Sequence, residues 1–181
     1  MQAIMWVVLA ATVGLAAVVN RELRKTHGGE LGDSITIGND VTLRLPHRWV
    51  EVDSDDNSIS VREPGADAQM GRTLEVTVGA PASPFDLLRS LTDAQSFAGT
   101  VQQMTVPVGS QTGTLLVRKR HLGEGYYQIT VTVSATIPKS RRLTITLSEI
   151  SAGQKRVRGD IDLVKRVAAS VKLGLPGETT E

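Results

Sequence analysis

"YYQITVTVSATIPKSRRLTITLSEIS", Tyr126–Ser151, is the stretch that decides the fold. Tyr127, Ile129, Val131 and Val133 alternate with Gln128, Thr130 and Thr132, and Leu143, Ile145 and Leu147 alternate with Thr144 and Thr146. Successive side chains of a strand point to opposite faces, so each run buries one face and presents threonine on the other. Between the two runs, "IPKSRR" supplies a hairpin end, and "GEG" at Gly123–Gly125 marks a reversal just before Tyr126. Paired antiparallel strands are therefore predicted.

The same alternation extends upstream. Val41, Leu43 and Leu45 point one way, with Thr42 and Arg44 the other. Val50/Val52 and Ile59/Val61 follow, separated by the turn-forming "DSDDN" of Asp53–Asn57, and Leu74, Val76 and Val78 alternate with Thr73, Glu75 and Thr77. Two segments change to a helical period. Ser83–Gly99 begins with a serine N-cap, Pro84 in the first turn and Asp86 behind it, and Leu87, Leu91, Ala94 and Ala98 form one stripe. Asp160–Leu173 carries Ile161, Val164, Ala168 and Val171 on one face and stops at Gly174. The predicted fold class is α+β, an antiparallel sheet with two main helices. Within "PHRW", Pro46 cannot donate to a ladder and ends its strand, and His47 and Arg48 fill a turn facing water. Trp49 is expected in the core beneath a terminal helix, because aromatic residues make up only 3% of the chain.

At 181 residues the chain suits one domain with an appendage. Its net charge of +1 argues against a bulk nucleic-acid binder, and base readout lacks the stacking aromatics it would need. The absence of cysteine excludes disulfides, thiol catalysis, Cys-ligated metals and a lipidated cysteine anchor. Ala3–Val19 holds no charge over its 17 residues; as a helix it would cover about 25 Å, the short end of a membrane span. The expected organisation is a single transmembrane anchor or a signal segment over 1–20, a linker over 21–34, a domain over 35–174 and a loose tail over 175–181. The missing basic n-region favours the uncleaved anchor, whereas Gly14, Ala16 and Ala17 would suit a signal peptidase. Arg21, Arg24 and Lys25 behind the span place the domain in the cytoplasm by the positive-inside rule.

The order of elements, with "LRLPHRWVEV" (Leu43–Val52), "LEVTVG" leading to a helix, the long strands "YYQITVTVSA" and "RLTITLSEIS", and the closing "DIDLVKRVAASVKL", resembles the PsbP-like α/β/α sandwich. This is the fold of the extrinsic oxygen-evolving subunits of photosystem II and of bacterial membrane-tethered proteins. The resemblance covers about residues 35–174. It implies a non-enzymatic domain that binds, assembles or stabilises partners, usually outside the cytoplasm, which opposes the positive-inside reading. It carries over no ligand-binding residue.

Catalytic and metal chemistry find little support. His27, His47 and His121 stand far apart, with no second histidine at helical or strand spacing from any of them. Asp53, Asp55 and Asn57 begin like an EF-hand loop, but Ser58 stands where glycine is required and Pro64 where a bidentate glutamate belongs. Gly-x-Ser-x-Gly and phosphate-cradle motifs are missing, so no cofactor, metal or catalytic residue is assigned and an enzyme is not expected. Three basic clusters remain: "RKRH" (Arg118–His121), "KSRR" (Lys139–Arg142) and "KRVR" (Lys155–Arg158). Arg118, Lys119, Arg120, Lys139, Arg141 and Arg142 form either separate solvated strand ends or a positive rim for anionic lipid or a protein partner. The outer threonines Thr42, Thr77, Thr130, Thr132, Thr144 and Thr146 reflect plain strand propensity or a flat platform. The expected function is a membrane-anchored, non-catalytic accessory or binding module that meets a protein partner at the membrane. A secreted or periplasmic ligand-binding protein or hydrolase, released by signal cleavage, is the alternative.

Overall fold

The computed structural model describes residues 30–64, 71–80, 101–152 and 158–174. The described residues form ten strands and one helix, α1 (Arg158–Ala169). The strands are β1 (Leu31–Ile37), β2 (Val41–Pro46), β3 (Val50–Asp55), β4 (Ser58–Arg62), β5 (Arg72–Gly79), β6 (Val101–Val108), β7 (Gln111–Gly123), β8 (Tyr126–Ile137), β9 (Arg141–Ala152) and β10 (Lys172–Leu173). A seven-stranded antiparallel sheet has the order β3-β4-β5-β9-β8-β7-β6, and a small sheet has the order β1-β2-β10.

Register follows from the alternation. Val76 sits opposite Ile145, which sits opposite Val133, which sits opposite Leu115. One face of the large sheet is thus a continuous layer of valine, isoleucine and leucine, fully or almost fully buried. Against it pack the apolar stripe of α1 (Leu163, Val164, Val167 and Ala168) and the inner residues of β2 (Val41, Leu43 and Leu45). Asp160 in the first turn and Arg166 in the last complement the dipole of α1. The opposite face carries a row of small polar side chains, Ser58–Thr77–Thr144–Ser134–Thr114–Thr105, one from each of six neighbouring strands.

Several expectations are corrected. The terminal helix ends at Ala169 instead of reaching Leu173, because Lys172 and Leu173 leave it to pair with Thr42 and Val41. Ser170 fixes the break: its hydroxyl donates to Val167 O and accepts the Arg44 N–H. The first described strand begins at Leu31, so Leu31–Ser34 are strand and not linker; the Arg44 guanidinium donates to the carbonyls of Leu31 and Gly32 and holds them against β2. Val50 and Val52, read as core, are 58% and 50% exposed. They lie on an edge strand whose register shifts between Glu51 and Asp53, which breaks the alternation that would bury them. Trp49 is half-buried at the margin of the core and not sealed beneath a helix, with the Arg72 guanidinium 5.6 Å from its ring centroid. The predicted helix Ser83–Gly99, the segment 3–19, the tail 175–181 and Lys155 and Arg156 lie outside the described residues. Among the described residues no helix is long and apolar enough to cross a membrane.

Candidate binding site

The strand turns sort the large sheet into two ends. At one end lie the tight turns β1–β2, β3–β4, β6–β7 and β8–β9, together with the end of α1. Backbone bonds lace these turns together: Gly38 N–H to Asp56 O at 2.7 Å, Val78 N–H to Asn57 O at 2.8 Å, Gly109 N–H to Ala168 O at 3.0 Å and Gly174 N–H to Asp40 O at 2.7 Å. Arg141 adds an ion pair with Asp40 and reaches Gly38 O. The space here is full, since a Cβ on Gly109 would lie 2.2 Å from the Val171 carbonyl oxygen.

The other end is built from side chains. On the apolar face its last complete row reads Lys119–Ile129–Glu149–Arg72, from β7 to β5. Arg72 is the hub. Its Nε donates to Glu63 Oε2 at 2.8 Å, its Nη2 to Glu63 Oε1, and its Nη1 to Asp160 Oδ1 at 3.4 Å. Glu63 holds the arginine's pKa above its ordinary value through these hydrogen bonds, working against burial, with further attraction from Asp160 and Glu149. The cluster joins the base of β4–β5 to the start of α1, and its charges are spent on architecture.

The β7–β8 hairpin of the same end is different. On the hydroxyl face, Arg62–Thr73–Ser148–Thr130–Arg118 forms a row across five strands, followed by Gln128 and Arg120. Lys119 points to the opposite face, where its Nζ lies 4.6 Å from the Tyr127 ring centroid, a cation–π contact. The His121 ring packs on the same tyrosine at 4.8 Å with a 55° tilt. Arg118, Lys119, Arg120, Gln128 and Thr130 together line an open cleft of about 200 Å³. Three cations, an amide and a hydroxyl line it, and no carboxylate is among the lining residues.

The six basic residues, read as either separate strand ends or one rim, fall into two groups. Arg118, Lys119 and Arg120 gather at the cleft, while Lys139, Arg141 and Arg142 lie at the opposite end, where Arg141 is committed to Asp40. Six residue positions along β8, from Thr130 to Thr136, correspond to about 20 Å between them. His47 is exposed in the β2–β3 turn and His121 lies on β7, and among the described residues no group of three or more His, Asp or Glu side chains could hold a metal ion. Asp55 folds inward and accepts the Asn57 N–H at 2.7 Å within the β3–β4 turn. Tyr127, placed on the core face by its alternation, is half-buried because it extends beyond the last layer of aliphatic residues. Sequence reasoning did not single out Gln128 or Leu122; the clue lay in the length of the strands on either side of "GEG".

No family model matches the chain, and no curated protein matches it. Among solved structures, the chain is similar to a mutant of the protein Mog1, with 9% identity and a TM-score of 0.56 over 80% of this chain and 96% of that one. The solution structure of PsbP (CyanoP) from Synechocystis sp. PCC 6803 aligns with 13% identity and a TM-score of 0.48, over 81% and 93% of the two chains. The domain has the PsbP-like fold, which Mog1 shares.

Proposed function

We propose that the chain is a non-catalytic accessory or binding module, held at a membrane by residues 3–19, whose cleft-bearing end engages an anionic partner. The uncharged run of 17 residues supports the tether. The observation that carries the binding assignment is the cleft. Three successive cations of β7, alternating between faces, wrap the sheet end beside Gln128 and Thr130. Such a constellation can hold charge without supplying an acid–base pair. The PsbP-like fold is consistent with a module that works through its partners.

Two measurements test this reading. The full chain is expected in the membrane fraction, and a chain lacking Met1–Val19 in the soluble one; a full-length chain recovered soluble would refute the tether. A photo-crosslinking side chain in place of Gln128 is expected to yield membrane adducts that disappear in Lys119→Glu/Arg120→Glu and persist in Lys139→Glu. Equal adducts in both variants would remove the cleft from the function.

A further inference from the structure

The anionic partner has a chemical class that the β7–β8 hairpin itself indicates. Beyond the row of Val101, Arg118 and Thr130, where β6 begins, the hairpin continues alone with β9 as far as Tyr126. Four residues from Thr130 to Tyr126 carry it about 13 Å farther, and about 10 Å past the first residue of β5. At the end of this projection stand two of the large apolar side chains that the described domain leaves in water, Leu122 at 44% and Tyr126 at 36% exposure. Gly123, Glu124 and Gly125 form the turn between them, all with positive φ. The cleft cations lie directly behind.

An apolar pair in front of a basic collar, with tyrosine at the boundary, is the arrangement that suits a bilayer interface. Aliphatic and aromatic side chains enter the headgroup layer there while lysine and arginine meet lipid phosphates. The point of tethering agrees. Leu31 pairs with Pro46, the β2–β3 turn follows at once, and Val50 stands in the same row as Arg62, Thr73, Ser148, Thr130 and Arg118. The chain outside the domain therefore enters at the end that carries the hairpin tip. The 11 residues from Asn20 to Glu30 can span at most about 40 Å, so an anchor in residues 3–19 would leave this end within reach of the lipid surface.

We infer that the β7–β8 tip, Leu122 and Tyr126 backed by Lys119 and Arg120, docks on the surface of an anionic bilayer. The inference rests on residues 3–19 being an anchor, and the test separates the two. The chain has no cysteine, so Leu122→Cys and, at the opposite end, Ser140→Cys each accept a single environment-sensitive fluorophore. The labelled full chain is reconstituted into vesicles of phosphatidylcholine, alone or mixed with phosphatidylglycerol, containing a headgroup-level nitroxide lipid. The label at 122 should be quenched several-fold more than the label at 140, only on the anionic vesicles, and less so in high salt. Lys119→Gln/Arg120→Gln should lower the docked-to-free ratio of the tip about twenty-five-fold, at about fivefold for each cation removed from the lipid surface. Comparing the two lipid compositions on the labelled chain with Lys119 and Arg120 intact keeps the test valid even where the double variant misfolds. Equal quenching at 122 and 140, or quenching that ignores phosphatidylglycerol, overturns the inference while leaving the anchor intact. Shielding of 122 on native membranes but not on lipid vesicles would assign the tip to a protein and overturn it as well. A chain that fails to float with vesicles overturns the anchor and the inference together.

Discussion

The two ends of the sheet are held by different forces. The closed end is laced by backbone hydrogen bonds between turns, and its tightest point is a glycine against a carbonyl. The open end is held by an arginine shared between Glu63 and Asp160 and resting on Trp49. Backbone ties need only the right φ and ψ, and they leave no room for a ligand. Side-chain ties need particular residues, and they leave charge and cleft at the surface. In this domain rigidity is concentrated at one end and surface chemistry at the other.

The sharpest way to break the comparison is at the hub. Arg72→Ala removes the part-buried cation that both Glu63 and Asp160 face, and should cost about 3 kcal/mol in urea unfolding, the low end for breaking a buried pair. A loss near that of an exposed arginine would mean that the apolar core alone holds the open end. Gly109→Ala tests the closed end, where φ is +55° and the added methyl meets a backbone carbonyl. About 3 kcal/mol is expected there, against about 1 kcal/mol for Gly125→Ala, whose φ is +78° with nothing within 4 Å. Equal losses at the two glycines would remove the distinction between a packed end and an open one. Trp49→Ala should cost about 2 kcal/mol, less than a fully buried tryptophan, because its ring is half-exposed and keeps only the Arg72 contact and the core margin.

The smallest effect is a titration. Asp55 is held below its ordinary 3.8, first by the Asn57 N–H and then by the Ser58 hydroxyl. Its folded value is lower than its unfolded one, so its stabilisation is present above the unfolded value and fades as pH falls through the folded one. Asp55→Asn should therefore lower Tm slightly at neutrality and flatten the fall of Tm below about pH 4, where the two proteins converge. An unaltered acid limb would show that the turn carboxylate is not bound in solution.

Much of the fold was legible because it depends on a period of two. The inner residues of β2, β4, β5, β8 and β9 are the alternating apolar residues of the sequence, and all but Tyr127 are buried. What failed did so where neighbours, not local pattern, decide. β7 hides its alternation because Leu116 stands on the polar face between Leu115 and Val117, and β6 mixes glutamines and a proline into an edge strand. Val50 and Val52 look like core residues until their strand is seen to be an edge. For the site, three cations in a row were visible as charge, but only the sheet register could separate Arg118–Arg120 from Lys139–Arg142. The protruding tip was less legible still, since its exposure depends on β6 and β5 stopping short.

The seam between β5 and β9 has a kinetic consequence. β7, β8 and β9 form a meander in which each pairing closes over a short turn, whereas Val76 waits for Ile145, about 70 residues along the chain. The meander can assemble early as a local unit, and the β3–β4–β5 half joins it only after a long loop has closed. Amides of β8 flanked by β7 should then outlast those of β4 in hydrogen exchange. When the domain opens, it should part first along that seam, leaving the hairpin that carries the tip among the last structures to melt.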